Sequence, residues 1–157
     1  MDYIQRSKEI FSQEICELQK LSAKIGNEIN EAVELIYNCK GKLVIMGVGK
    51  TGIIGHKISS SLASTGTQSI FVNASEAMHG DLGMVSKNDI VLLISNSGSS
   101  SEIVNIIPPL KKIGCTMIAM TGNLKSVLAN EVSLVLNVGV EKEACPLGLA
   151  PTTSTTA

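Results

Sequence analysis

Four short stretches carry most of the residue types able to do chemistry. In Ser95-Asn96-Ser97-Gly98-Ser99-Ser100-Ser101-Glu102, hydroxyls crowd a loop that leads into a helical pattern. Such a loop offers side-chain donors, free backbone amides and the positive end of a helix dipole, and it can hold a phosphate monoester without arginine. A plain serine-rich turn with an N-cap is the alternative. The position directly after a buried strand favours the phosphate. In Gly47-Val48-Gly49-Lys50-Thr51-Gly52, a lysine stands inside a tight strand-to-helix turn. The spacing matches G-x-G-x-x-G, but a dinucleotide site also needs an acidic residue closing the next strand. That strand ends at Val72-Asn73, and Glu76 lies beyond it. A P-loop needs a glycine where Val44 stands. The glycines are read as turn formers and Lys50 as a cation on the ligand edge.

The third stretch, Ala77-Met78-His79-Gly80-Asp81, places an imidazole where it can act as acid, base or metal ligand. A non-catalytic loop histidine is the plainer alternative. His56 falls inside a helical pattern and is read as structural or solvated. The fourth stretch, Val140-Glu141-Lys142-Glu143-Ala144-Cys145-Pro146-Leu147-Gly148, follows the last apolar run and alone reads as a solvated charged loop. Cys145 has no basic neighbour in sequence to mark it as a nucleophile.

These stretches are separated by elements that must position them. Residues 4–38 hold no proline and one glycine, Gly26, and apolar residues recur at Ile10, Ile15, Leu18, Leu21, Ile25, Ile29, Val33 and Ile36. That spacing predicts a long amphipathic helix, broken or bent near Gly26, packing on its own domain or on a partner chain. Leu43–Met46, Ser69–Val72, Asp89–Ile94, Cys115–Met120 and Ser133–Val138 read as short strands. Helical patterns run from Gly52 to about Ser64, over Glu102–Ile113 and over Leu124–Asn130. Continuous apolar strands alternating with helices predict an α/β fold, a doubly wound, flavodoxin-like parallel sheet sandwiched by helices. Ligands then sit beyond the carboxyl ends of the strands, which gathers all four stretches on one edge.

Composition narrows the function. At 157 residues the chain predicts a single domain. Apolar residues make up 44% and charged residues 17%, enough to build a core and too apolar for global disorder. Thirteen basic against 14 acidic residues, with Arg6 the one arginine, exclude a nucleic-acid protein. No apolar run approaches the roughly 20 residues needed to cross a bilayer, and the start lacks a signal-peptide pattern. Cys16, Cys39, Cys115 and Cys145 are scattered and form no CxxC pair, so neither disulfides nor a zinc knuckle are expected. A reducing cytoplasm fits best.

Together, the Gly47–Gly52 turn, Ala77–Asp81, Ile94-Ser95-Asn96-Ser97-Gly98 and Glu141-Lys142-Glu143-Ala144-Cys145-Pro146-Leu147-Gly148-Leu149-Ala150-Pro151-Thr152 resemble the sugar isomerase (SIS) domain family. Within it they look like the D-arabinose-5-phosphate isomerase branch, over residues ~10 to 157. The resemblance implies interconversion of D-ribulose 5-phosphate and D-arabinose 5-phosphate, feeding synthesis of the lipopolysaccharide sugar Kdo. It implies phosphate binding at Ser95, Ser97 and Ser100, with Gly49, Lys50, Asn96 and Thr152 completing the binding set. Lys50, His79, Glu102 and Glu143 match the family's functional positions. Ser99 stands where many relatives carry glutamate. A further family helix bearing a catalytic histidine, and the paired CBS module, are expected to be absent from these 157 residues.

Aldose–ketose isomerisation moves a proton between adjacent carbons through an enediol(ate), and needs a carboxylate and a charge-stabilising donor. Glu143 is the expected base, with Glu102 second. Lys50 would stabilise the oxyanion or phosphate, and His79 would orient hydroxyls. No cofactor and no metal are expected. The partners expected are a small sugar phosphate and further copies of the chain, forming a homotetramer, with no nucleic acid and no membrane. A non-catalytic SIS-type sensor of a phosphosugar or nucleotide-sugar is the alternative; it would keep the serine loop without needing Lys50 and Glu143.

Overall fold

The computed structural model describes residues 2–157. Five strands form one parallel sheet: β1 (Leu43–Gly47), β2 (Ser69–Asn73), β3 (Ile90–Ile94), β4 (Thr116–Thr121) and β5 (Leu134–Asn137). Their order across the sheet is β2-β1-β3-β4-β5, the flavodoxin-like winding whose switch point lies between β1 and β3. The register aligns the carboxyl ends: Gly47 pairs with Asn73, Ile94 with Met120, and Thr121 with Asn137. One sheet edge therefore receives every loop that leaves a strand.

Alternation along the strands divides the core between two faces. Val44, Met46, Val91 and Leu93 point to one face, where Ile103 and Leu110 of α5 (Ser101–Ile113) cover them. Leu43, Ile45, Ile90 and Leu92 point to the other. There α2 (Glu28–Tyr37) contributes Ala32 and Ile36, and α3 (Gly49–Ser64) contributes Ile58 and Leu62. Both faces of the central strands are apolar because helices on each side of a parallel sheet leave them no wet face.

The expected helix over 4–38 is two helices. Asp2 caps α1 (Tyr3–Ser22) by accepting from the amides of Ile4 and Gln5, and the chain then leaves the helix through Ala23. Gly26 weakens the helix at the break, and its amide donates to the Glu28 carboxylate, which starts α2. Glu28 and Glu31 then complement the α2 dipole. The two helices also differ in burial. α2 lies on the sheet, whereas α1 buries only Glu17 and Leu21 among its described residues.

Between β2 and β3 the chain forms α4 (Ala74–Ala77), then a turn through His79 and one 3-10 turn over Asp81–Met84. The helix between β4 and β5, α6 (Val127–Glu131), is shorter than the Leu124–Asn130 pattern predicts, because Ser126 caps it by accepting from the amide of Ala129. The chain beyond β5 has no regular structure until α7 (Thr153–Thr156). At the opposite end of the sheet, Asp89 accepts from the backbone amides of Lys42 and Ser86 and pairs with the Lys42 ammonium at 2.8 Å. This buried carboxylate fastens the entry of β3 to that of β1.

Candidate active site

A cleft of about 690 Å³ opens over the carboxyl ends of β1 and β3. Its walls are the start of α3, the loop after β3 and the segment after β5.

Lys50 enters from the second position of α3. Gly49 makes the turn possible with φ of +58°, a conformation costly to any other residue. The Thr51 hydroxyl then ties the turn down, accepting from the Val48 amide and donating to the Val48 carbonyl. Gly47 packs too close to the α3 backbone for a side chain, since its Cβ would stand 2.9 Å from Thr51. These glycines thus serve chain packing, as the missing ribose acid requires. A lysine at a helix N-terminus opposes the dipole, and among the described residues no carboxylate pairs with Lys50. Its charge is left for the cleft. Lys57, seven residues on along the same helix, also lines the cleft and donates to Ser61. The i, i+7 spacing was the signal for this second cation.

The serine loop forms the floor. Ser95 is buried, with its hydroxyl 2.8 Å from that of Ser100 and accepting from the amide of Gly98. Gly98 has φ of +65°, and a Cβ there would meet the Ser126 hydroxyl at 2.0 Å. The Asn96 carbonyl accepts from the amide of Gly122, which anchors the loop to the end of β4. Ser97 remains exposed, and Ser100 is the N-cap residue of α5, whose hydroxyl makes no capping bond to the helix. In the first turn of α5 the Ile103 amide donates to the Ser100 carbonyl and the Glu102 amide to its own carboxylate, which leaves the Ser101 amide open to an anion. Ser95, Asn96, Ser97 and Ser100 all line the cleft.

Glu143 closes the cleft from the segment after β5. Its Oε2 accepts from the Thr152 amide and hydroxyl, each at 2.8 Å, and from the Ser154 amide at 3.3 Å. Desolvation raises the pKa of this carboxyl, but the hydrogen bonds from Ser154 and Thr152 outweigh it and hold the group below the ordinary glutamate range. The Thr152 hydroxyl also accepts from the Ala144 amide, so it braces both the carboxylate and its backbone. From the other side, α1 meets the same segment. Glu17 accepts from the amides of Glu141 and Lys142, and Gln13 donates to the Glu143 carbonyl.

Two of the expected residues lie elsewhere. Glu102 sits in the first turn of α5, outside the cleft wall, where its own backbone amide and the Ser101 hydroxyl lower its pKa. His79 is exposed in the turn after α4, also outside the cleft. Gly49 shapes the wall without lining it, and Thr152 acts through Glu143. His56 packs edge-on to Phe71 with ring centroids 5.7 Å apart, in line with its structural reading. Cys145, unmarked in sequence, lies against the amides of Ala150, Leu149, Leu147 and Gly148, which lower its thiol pKa. Fold and loop conformation, and not a nearby basic residue, cause that shift.

Known proteins share this arrangement of chain. The model of the SIS domain family matches residues 35–157. The chain is 50% identical over 156 residues to the arabinose 5-phosphate isomerase KdsD of Escherichia coli (strain K12), covering 99% of this chain and 48% of that protein. It is 47% identical over 156 residues to arabinose 5-phosphate isomerase KdsD of Pseudomonas aeruginosa, with the same coverage of 99% and 48%. The chain thus spans about half the length of the curated relatives it matches. Among solved structures, E. coli CFT073 c3406 in complex with arabinose 5-phosphate superposes with a TM-score of 0.95 at 42% identity, over 99% of this chain and 82% of that one.

Proposed function

The chain belongs to the SIS domain family, and from that premise we propose that it is an aldose–ketose isomerase interconverting D-ribulose 5-phosphate and D-arabinose 5-phosphate. One observation carries the reading: a single cleft holds the serine loop, an unpaired lysine and an ionised carboxylate. A sensor needs only the first of these. The names of the KdsD relatives and the sugar phosphate bound to c3406 point the same way.

In this mechanism the phosphate rests on Ser97, Ser100 and the Ser101 amide at the start of α5. The five-carbon chain then extends toward Glu143. Oε1 of Glu143 is the oxygen free to take a proton, since the described hydrogen bonds to this carboxylate converge on Oε2. It removes the proton from C1 of the ketose and returns it to C2, while the proton of the C1 hydroxyl passes to the C2 oxygen so that C1 becomes the carbonyl. Lys50 stabilises the oxyanion of the enediolate between these transfers. The resemblance counts Glu102 and His79 among the functional positions, and since neither lines this cleft they would serve that of a neighbouring copy in a homo-oligomer, a tetramer by family resemblance. The 157 residues act as one phosphosugar-binding domain in the cytoplasm, where their four free cysteines stay reduced. The product feeds synthesis of Kdo.

A coupled assay of D-ribulose 5-phosphate conversion, with the product identified by chromatography, tests the proposal. Formation of D-arabinose 5-phosphate is expected. Binding of sugar phosphate without turnover would turn the reading toward a sensor.

A further inference from the structure

α1 contributes no residue to the cleft wall, yet its most buried polar group points at the segment that carries Glu143. Four side chains on one stripe of the helix, Arg6, Gln13, Glu17 and Lys20, meet residues 144, 143, 142 and 141 in reverse order. The Arg6 guanidinium approaches the Ala144 carbonyl at 3.5 Å, and Gln13 donates to the Glu143 carbonyl. Oε2 of Glu17 accepts from the amides of Glu141 at 2.7 Å and Lys142 at 3.3 Å, while Lys20 bridges the carboxylates of Glu17 and Glu141. All but the last of these contacts are to backbone. They fix where the segment runs whatever side chains it bears.

We propose that Glu17 and Gln13 are positioning residues that hold the backbone of 141–143 so that Glu143 faces the substrate carbon. The inference rests on the isomerase reading given above. Its physical basis is that this stretch of backbone has no strand or helix to satisfy its polar groups, and buried amides must be paired. A carboxylate with 5% of its side chain exposed is a costly way to fill that space if packing were its whole purpose. As an acceptor for two neighbouring amides it makes charge-assisted bonds, which are short and directional. With Thr152 bracing the opposite side of Glu143, the base is held from two directions. Sequence spacing conceals this role, because Glu17 reads as one polar residue on an amphipathic helix.

The test compares Glu17→Gln and Gln13→Leu with the wild-type chain in steady-state isomerisation across pH. Glutamine at 17 keeps one oxygen for the two amides that both bond Oε2, but it loses the charge that shortens those bonds and turns an NH2 group onto the Lys20 ammonium, and leucine at 13 offers no donor. Each variant is expected to lose about ten- to hundredfold in kcat, the scale of a small misplacement of a catalytic group, with KM changed less than about twofold. The acid limb of the kcat profile should also move to higher pH, because a displaced Glu143 gives up its bonds to Thr152 and Ser154. Lys111→Ala, which removes an exposed ion pair with Glu131, serves as the control and should leave both readouts unchanged. An unchanged kcat overturns the inference, as does a lower kcat with an unmoved acid limb, since loss of folded protein alone would give that. If Glu17→Gln does not fold, Gln13→Leu decides by the same readouts. A wild-type chain that turns over no sugar phosphate overturns the isomerase reading and the inference with it, whereas an active wild type with indifferent variants overturns the inference alone.

Discussion

On the isomerase proposal, the hydrogen bonds to Glu143 are what fit it to act as a base. The bonds from Ser154 and Thr152 depress its pKa against the opposing effect of burial, so it stays ionised to lower pH than an ordinary glutamate. The midpoint of the acid limb of the rate should therefore lie below the ordinary glutamate value of about 4.3; a pH–rate profile checks this. Glu143→Gln keeps the shape and loses the proton acceptor, and is expected to lower kcat by at least about 10² with little change in KM. Solvent deuterium exchange at the substrate carbons separates it from Glu102: Glu143→Gln should stop the exchange, and Glu102→Gln should not. Ser97 presents an exposed hydroxyl, so Ser97→Ala should weaken sugar-phosphate binding by roughly 0.5–3 kcal/mol in a calorimetric titration. Ser95→Ala should weaken it through the loop, because the Ser95 hydroxyl is already engaged with Ser100 and Gly98. The sequence made the serine loop and Lys50 legible because both sit where a strand ends. It could not show that Thr152 grips Glu143, since that contact depends on how an irregular segment folds back over nine residues.

At the scale of elements, the strands were legible from their apolar runs to within a residue or two. The N-terminal segment was legible as helix with a break near Gly26, and the chain is interrupted there between Ser22 and Glu28; the shared periodicity hid only that the two halves pack against different things. α2 covers the sheet and α1 covers the segment after β5. Asp89 joins two elements that pair side by side, and its environment gives a stability prediction. Desolvation pushes its pKa up, but the Lys42 side chain and the amides of Lys42 and Ser86 outweigh that and depress it. The carboxylate thus contributes stability above its unfolded value of about 3.9, and that contribution is lost as pH falls through the lower folded value. Asp89→Asn leaves one oxygen for two amides and should cost about 1–3 kcal/mol at neutral pH in chemical denaturation. The difference between variant and wild type should shrink as pH drops below about 4.

At the scale of the whole molecule, the apolar surface calls for company. Phe11 and Ile15 of α1 are 67% and 54% exposed, and Val33 of α2 is 58% exposed. Ile15 and Val33 belong to the helical period read from the sequence, so sequence reasoning expects them to be covered, and within one chain they are not; Phe11 stands one turn before Ile15 on the same helix. Light scattering at micromolar concentration is expected to give a tetramer, and a monomer would refute it. Phe11→Glu with Ile15→Glu should lower the assembly state while leaving each chain folded, since exposed substitutions typically change stability by no more than about 0.5 kcal/mol each. The contact between α1 and the segment after β5 has a further consequence, in time. Gln13 and the Glu143 carbonyl it meets are 130 residues apart in the chain, and Glu17 and Glu141 are 124 apart. At roughly 5–20 residues per second of synthesis, α1 leaves the ribosome on the order of 10 s before its partner exists. Contacts of such long separation also form slowly, because loop closure precedes any gain from them. Secondary structure on refolding should return first, from the sheet and its helices, and catalytic competence should follow as a separate and later event.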